Sequence, residues 1–336
     1  MNSRRDPLVS VQANKEKETN AGLWLDKYIV EQVREKNERR HELVKDVCAM
    51  PIPAIYNAYY DQWDKQLQTS GAKRRYAIVK GRMIIGLGSE SVLETSISLH
   101  RTYGVPYIPG SALKGLAANY ARQRLGEHWQ QGSPAYKVVF GDTDDAGYII
   151  FFDALLVPDS KKERLKVLHP DIITVHHPKY YQDTSEAPTD KDNPNPVPLL
   201  SATGTYLVAL AAPDLQQEQG DQWIARTFAI IEKAVETLGV GAKTSSGYGR
   251  MKFLPESVDL DLKKVEGLQR EIESIRDSNV ASQIPGYYEK WKKIESPEAR
   301  RLLARAIIDK VRKTGREKDS SKKPWYMELL TFLGQE

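Results

Sequence analysis

The chain has 336 residues, enough for one large or two ordinary domains with a sizeable core, and 40% hydrophobic with 9% aromatic content excludes a disordered protein. A net charge of +4 is only mildly basic, so any nucleic-acid footprint must come from local clustering of cations. A single cysteine, Cys48, excludes an internal disulfide and a cysteine-based zinc cage, and the absence of a signal-like or membrane-length apolar run leads to the expectation of a soluble, cytoplasmic protein.

Residues 1–20 are rich in Lys, Glu, Asn and Ser and are expected to be disordered. Trp24, Leu25, Tyr28, Ile29 and Val33 then recur at helical spacing, and Leu43, Val44 and Val47 resume the stripe. Pro51 and Pro53 stop that helix; Ile55, Tyr59 and Trp63 mark a second, which ends by Gly71. The segment RRYAIVKGRMIIGL predicts one long strand with Ala77, Val79, Met83 and Ile85 on one face and Lys80 and Arg82 on the other. An insertion over 88–109 precedes a helix from Ser111 to Leu125, with Ser111 as its N-cap. Residues 147–158 read as a strand covered on both faces, and a long Pro/Asp/Asn-rich loop leads to another strand over 203–212. A helix over about 221–238 ends at Gly239, a natural residue for the position after the C-cap, and Tyr248 to Leu254 supply the last strand. From about 262 onward the chain turns helical and charged.

The order β-α-β-β-α-β predicts an α+β fold with a ferredoxin-like, RNA-recognition-motif-like core, carrying insertions, a helical N-terminal extension and a helical C-terminal segment. The expected divisions are 1–20, 21–72, 73–256 and 257–336. With strand order 4-1-3-2 the first and last strands are neighbours, which sets Lys80 and Arg82 beside Tyr248, Arg250 and Lys252.

The most informative segment is GVGAKTSSGYGR, residues 239–250, where four glycines interleave with Lys243, Thr244, Ser245, Ser246, Tyr248 and Arg250. Glycine permits close backbone approach and positive φ, while hydroxyls, free N–H groups and two cations suit a phosphate chain. Ala242 stands where a nucleotide-triphosphate loop needs Gly, and the order helix–loop–strand is the reverse of that loop's, so a polyanion fits better than a small nucleotide. YIPGSALKGLAANYAR, residues 107–122, places Ser111 and Lys114 in a first helical turn, where an anion could dock or where the two are only an ordinary capped, solvated helix start.

An IPGSxLKG segment opening the first helix, paired with a GxGxxTxxGYGR loop after the second, resembles the repeat-associated (RAMP) proteins of CRISPR systems. Within that superfamily, PDIITVHHPKYY (170–181) and DNPNPVPLLSATGTYLVAL (192–210) are similar to the sixth-subunit family of type III-B Cmr effector complexes. The resemblance covers about residues 75–255. It implies a non-catalytic subunit near one end of the complex that contacts the 3′ part of a guide RNA, with target RNA and other Cmr subunits (backbone, small helical and first subunit) as partners. RNA contact is then expected from Lys80, Arg82, Ser111, Lys114, His176, His177, Lys243, Thr244, Ser245, Ser246, Tyr248 and Arg250, with no cofactor and no metal.

Relatives in the superfamily cleave RNA without metal, so His100, His176 and His177, with Tyr107 or Lys114 as partners, define the alternative of an endoribonuclease. A pure assembly subunit is the remaining alternative. His169, Asp171 and His176 lack diagnostic metal-ligand spacing, and Asp142, Asp144 and Asp145 read as a solvated turn. Ten Lys/Arg against three Asp/Glu over 300–323 fit an RNA or subunit contact as well as a charged helix face.

Overall fold

Alternating apolar residues build β1 (Lys73–Val79), in which Ala77 and Val79 are buried and Ile78 between them is exposed. The chain is described by a computed structural model over residues 19–28, 37–89, 91, 93, 95–158, 166–175 and 195–334. It divides into two units, 1–253 and 254–336.

In the first unit, three helices precede the sheet: α1 (Ala21–Lys27), α2 (Asn37–Cys48) and α3 (Ile55–Thr69). After β1 come β2 (Tyr107–Ile108), α4 (Gly110–Arg124), α5 (Pro134–Phe140), β3 (Ile150–Phe151) and β4 (Ala154–Leu156). Then follow β5 (Leu168–Val175), β6 (Asn195–Ala202), β7 (Thr205–Ala211), α6 (Gln217–Thr237) and β8 (Met251–Phe253). The main sheet is ordered β2-β4-β7-β1-β8, with β3 also on β7, and every pairing is antiparallel. The first and last strands are neighbours, with Ile78 opposite Lys252 and Val79 opposite Met251.

Adjacent arginines of β1 serve opposite faces of this sheet. Arg75 lies 4.8 Å from the ring centroid of Phe253 and 5.9 Å from that of Phe228, and pairs with Glu232 of α6 at 3.0 Å. Arg74 turns the other way to Asp64 of α3, an ion pair whose side chains are 9% and 6% exposed. The hydroxyl of Tyr56, also on α3, donates to the Leu156 carbonyl at 2.7 Å. Helix α3 therefore covers part of the sheet face opposite α6.

Four local expectations are corrected. The long strand ends at Val79, because Gly81 at φ 82° turns the chain and Met83 makes only an isolated bridge to Ala202. The covered strand over 147–158 is two short ones, since the register on β7 slips by one residue between Phe151↔Leu210 and Leu155↔Leu207, the signature of a β-bulge. Part of the supposed loop after it is a hairpin, β5–β6, running from Leu168↔Ala202 to Val175↔Asn195. Pro170, Pro196 and Pro198 suggested loop, but a two-stranded ribbon has edges on both sides and tolerates residues without an N–H. Helix α4 starts one residue early, with Pro109 at the N-cap position and Ser111 inside the first turn. The expected disorder of residues 1–20 falls almost wholly outside the described residues.

The second unit is helical: α7 (Glu256–Ser274), α8 (Val280–Lys292), α9 (Pro297–Lys313), α10 (Glu317–Ser320) and α11 (Pro324–Leu333). Its core includes Val265, Ile284, Trp291, Leu303, Ile307 and Tyr326, and Arg300 lies 4.3 Å from the Trp291 ring centroid. The carboxylate of buried Asp261 accepts the N–H groups of Glu295 and Ser296, which fixes the turn into α9. Among the described residues no helix is long and apolar enough to cross a membrane.

Removing one partner of a buried ion pair leaves the other charge uncompensated. Asp64→Ala is expected to cost about 3–5 kcal/mol, and Asp64→Leu with Arg74→Met far less, as measured by urea unfolding.

Candidate functional site

The glycine-rich loop is laced to the segment that follows β1. Gly249 N–H donates to the Arg82 carbonyl at 2.8 Å, Ala242 N–H to that of Ile84 at 2.8 Å, and Lys80 N–H to that of Arg250 at 2.7 Å. Within the loop, Val240 N–H donates to the Gly249 carbonyl at 2.9 Å. A Cβ on Gly249 would lie 1.9 Å from the Val240 oxygen, and one on Gly241 2.1 Å from the Ile84 oxygen. These two glycines are therefore required by backbone packing within the protein itself.

The middle of the loop is different. Lys243 is the only non-glycine at positive φ among the described residues, at 57°, and it leads into a 3-10 turn over Thr244–Ser246. No hydrogen bond is donated by the N–H of Lys243, Thr244 or Ser245 among the described residues. A left-handed residue followed by right-handed ones turns successive N–H groups toward one side, an anion-binding concavity. Lys243, Ser245 and Ser246 are exposed around it and Thr244 is half-buried.

Arg82 and Lys80 join this loop through the backbone bonds above. Lys80 is exposed, as is Lys252 on β8. The Nη1 atom of Arg82 is enclosed and has no hydrogen-bond partner among the described residues. Arg250 is partly occupied: its Nη1 donates at 3.3 Å to the Glu236 carbonyl at the end of α6, where a cation also suits the helix dipole. The Tyr248 hydroxyl donates to the Asp171 carboxylate of β5 at 2.7 Å, and that bond, with some burial, holds its phenol above the usual range. The loop and the β5–β6 hairpin are thereby tied together.

The α4 N-terminus has its own anion. The bulge between β3 and β4 aims Asp153 at the helix, and its Oδ1 accepts the Gly110 N–H at 2.8 Å. A Cβ on Gly110 would sit 2.1 Å from the Phe151 oxygen, so helix and bulge are in direct backbone contact. Ser111 is exposed and Lys114 half-buried on the first turns, with the Ser111 N–H free of any bond among the described residues. Asp153 escaped the sequence reading; a lone carboxylate inside the apolar run FFDALL was the signal available.

The model of the RAMP superfamily matches residues 77–252, just over half of the chain. The chain belongs to the RAMP superfamily. It is 28% identical over 253 residues to the Cmr subunit Cmr6 of Pyrococcus furiosus, a match spanning 59% of this chain and 72% of that one. To Cmr6 of Saccharolobus solfataricus it is 29% identical over 110 residues, 32% of this chain and 35% of that one. Among solved structures, one of type III-B Cmr-beta bound to cognate target RNA is similar at 18% identity and TM-score 0.49, covering 68% of this chain and 78% of that one.

The glycine loop and the α4 start both lie inside the RAMP match, whereas the helical unit from Leu254 lies beyond it. His100 sits in a tight turn closed by the Leu99–Pro106 bridge; its Nδ1 accepts the Thr102 N–H at 3.3 Å and its Nε2 faces the Tyr59 hydroxyl at 3.3 Å. Burial lowers its pKa, against a smaller opposing pull from Asp153. His176 and His177 lie outside the described residues. Asp142 accepts the N–H groups of Asp144 and Asp145 and pairs with Lys137 at 2.7 Å; these bonds hold its pKa down at about 2, as a closed turn requires. Among the described residues no group of three His, Cys, Asp or Glu could hold a metal ion.

The two kinds of glycine separate on substitution. Gly249→Ala adds a backbone clash to the left-handed strain and is expected to cost well over about 2 kcal/mol. Gly247→Ala, with φ 90° but nothing within 4 Å of the new Cβ, should cost about 1–2 kcal/mol, and parallel denaturant titrations measure both.

Proposed function

We propose that this RAMP protein is a non-catalytic RNA-binding subunit of a type III-B CRISPR effector, holding the 3′ part of the guide RNA and capping the backbone filament in antiviral interference. The observation that carries the reading is the run of three N–H groups at residues 243–245 that donate no hydrogen bond among the described residues, together with the exposed cations Lys80, Lys243 and Lys252. A phosphodiester chain supplies acceptors for all of them, with serine and threonine hydroxyls available to ribose 2′-hydroxyls. The likeness to two Cmr6 proteins supports other Cmr subunits as partners; guide RNA, target RNA and a cytoplasmic setting belong to the same proposal.

The order β8-β1-β7-β4, all antiparallel, with α4 and α6 as crossovers, supports a ferredoxin-like core of order 4-1-3-2. The non-catalytic reading draws on His100. Once Nδ1 accepts the Thr102 N–H, the neutral ring carries its proton on Nε2 and has no lone pair left to take a proton from RNA.

Recognition of backbone predicts weak sequence dependence and steep salt dependence. Lys243→Ala, at an exposed loop position, and Arg82→Ala are each expected to weaken binding of a guide-length single-stranded RNA. Each should also reduce the slope of log affinity against log salt by about 0.7 per lost phosphate contact. Unchanged affinity and slope in both variants, with assembly intact, would overturn the reading.

A further inference from the structure

Four aromatic rings from two separate stretches of chain meet near the start of α4. Tyr59 comes from α3, His100 and Tyr103 from the tight turn over 99–106, and Tyr107 from β2. Ring centroids are 4.7 Å apart for Tyr59 and Tyr103, 4.9 Å for His100 and Tyr103, 5.1 Å for Tyr59 and His100, and 6.3 Å for His100 and Tyr107. Asp153, which receives the Gly110 N–H, lies close enough to act electrostatically on both Tyr59 and His100, so the cluster adjoins the start of α4.

The anchoring of α3 is done by a different ring. Tyr56, one turn before Tyr59, is buried and donates to the Leu156 carbonyl, whereas all four rings of the cluster are only half-buried. A packing role alone leaves unexplained why polar-edged rings converge and stay open to solvent. Two cations stand on the same elements, Arg101 in the turn and Lys114 in the first turns of α4, and neither has an ion-pair partner among the described residues. Between Ser111 and Lys114 and the second turn stands Gly115, exposed and with nothing within 4 Å of where its Cβ would be. The helix backbone is bare there, open to close approach by another molecule.

We propose that Tyr59, His100, Tyr103 and Tyr107 form a stacking platform for an unpaired nucleobase of single-stranded RNA, with Arg101 and Lys114 meeting the flanking phosphates. The rings already touch one another, so no slot exists between them and the base stacks on their outer face. A nucleobase matches this surface because it offers a π-face to the rings and polar edges to the hydroxyls and imidazole, with charge on its backbone for the cations. An apolar protein anchor would find polar edges and unpaired cations instead of a greasy pocket. The inference rests on the RNA-binding reading but concerns a surface distinct from the glycine loop.

The test uses the full chain and a single-stranded RNA carrying 2-aminopurine, with Tyr59→Leu and Tyr103→Leu to remove rings while keeping apolar volume, and Tyr59→Phe and Tyr103→Phe to keep the rings. The leucine variants are expected to bind roughly 5- to 100-fold more weakly and to lose 2-aminopurine quenching, with the salt slope unchanged because no charge is lost. The phenylalanine variants should bind like the parent. Leucine variants that match the parent in affinity and quenching, while Lys243→Ala still weakens binding, overturn the platform and leave the RNA-binding reading standing. Leucine variants that bind RNA normally but fail to associate with partner subunits overturn it in favour of a protein-docking surface. Circular dichroism of every variant separates either result from misfolding.

Discussion

The whole candidate surface depends on one closure, the backbone-to-backbone lacing of the glycine loop onto the residues that follow β1. Three N–H···O bonds, from Lys80, Ala242 and Gly249, hold two chain segments at a separation no side chain would permit, and a fourth, from Val240 to Gly249, closes the loop on itself. That closure carries Arg82 to the loop, leaves the N–H groups of residues 243–245 without a hydrogen bond among the described residues, and accompanies the pairing of Lys252 with Ile78 at the sheet edge. Glycine at 241 and 249 thus does structural work, and in the proposed function the binding chemistry falls to the residues between them.

A second constraint divides labour between the two anion-friendly features. The bulge in the β3–β4 region turns Asp153 onto the α4 N-terminus, so the first free N–H of that helix is already answered by a carboxylate. Around the glycine loop, by contrast, Lys80, Lys243 and Lys252 have no ion-pair partner among the described residues. The same Asp153 touches the environment of Tyr59 and His100, which explains how an aromatic cluster and a helix start share one region.

Much of this was legible in the residues because period and punctuation are local. The helix spacing of Ile224, Phe228, Ile231 and Val235 located α6, and Gly239 ended it at φ 80° as the C′ position requires. The adjacency of the first and last strands followed from the order of elements, and brought Lys80 and Arg82 to Tyr248 and Arg250 as expected from it. What sequence did not disclose was tertiary in origin. A register slip of one residue has no local signature, so Asp153 looked like an interruption in an apolar strand. Prolines in β5 and β6 spoke for loop, although a ribbon with free edges accommodates them. Arg250 carried the chemistry of a phosphate ligand, yet one of its nitrogens caps α6, a contact only the fold supplies.

The central claim is that an RNA backbone lies on the surface formed by the glycine loop and the residues that follow β1. Ultraviolet crosslinking of guide RNA within the assembled effector, followed by mass spectrometry of this subunit, tests it most directly. The account predicts nucleotide adducts on peptides containing residues 239–253 and 80–85. Adducts confined to other subunits, or to the helical unit beyond Leu254, would contradict it.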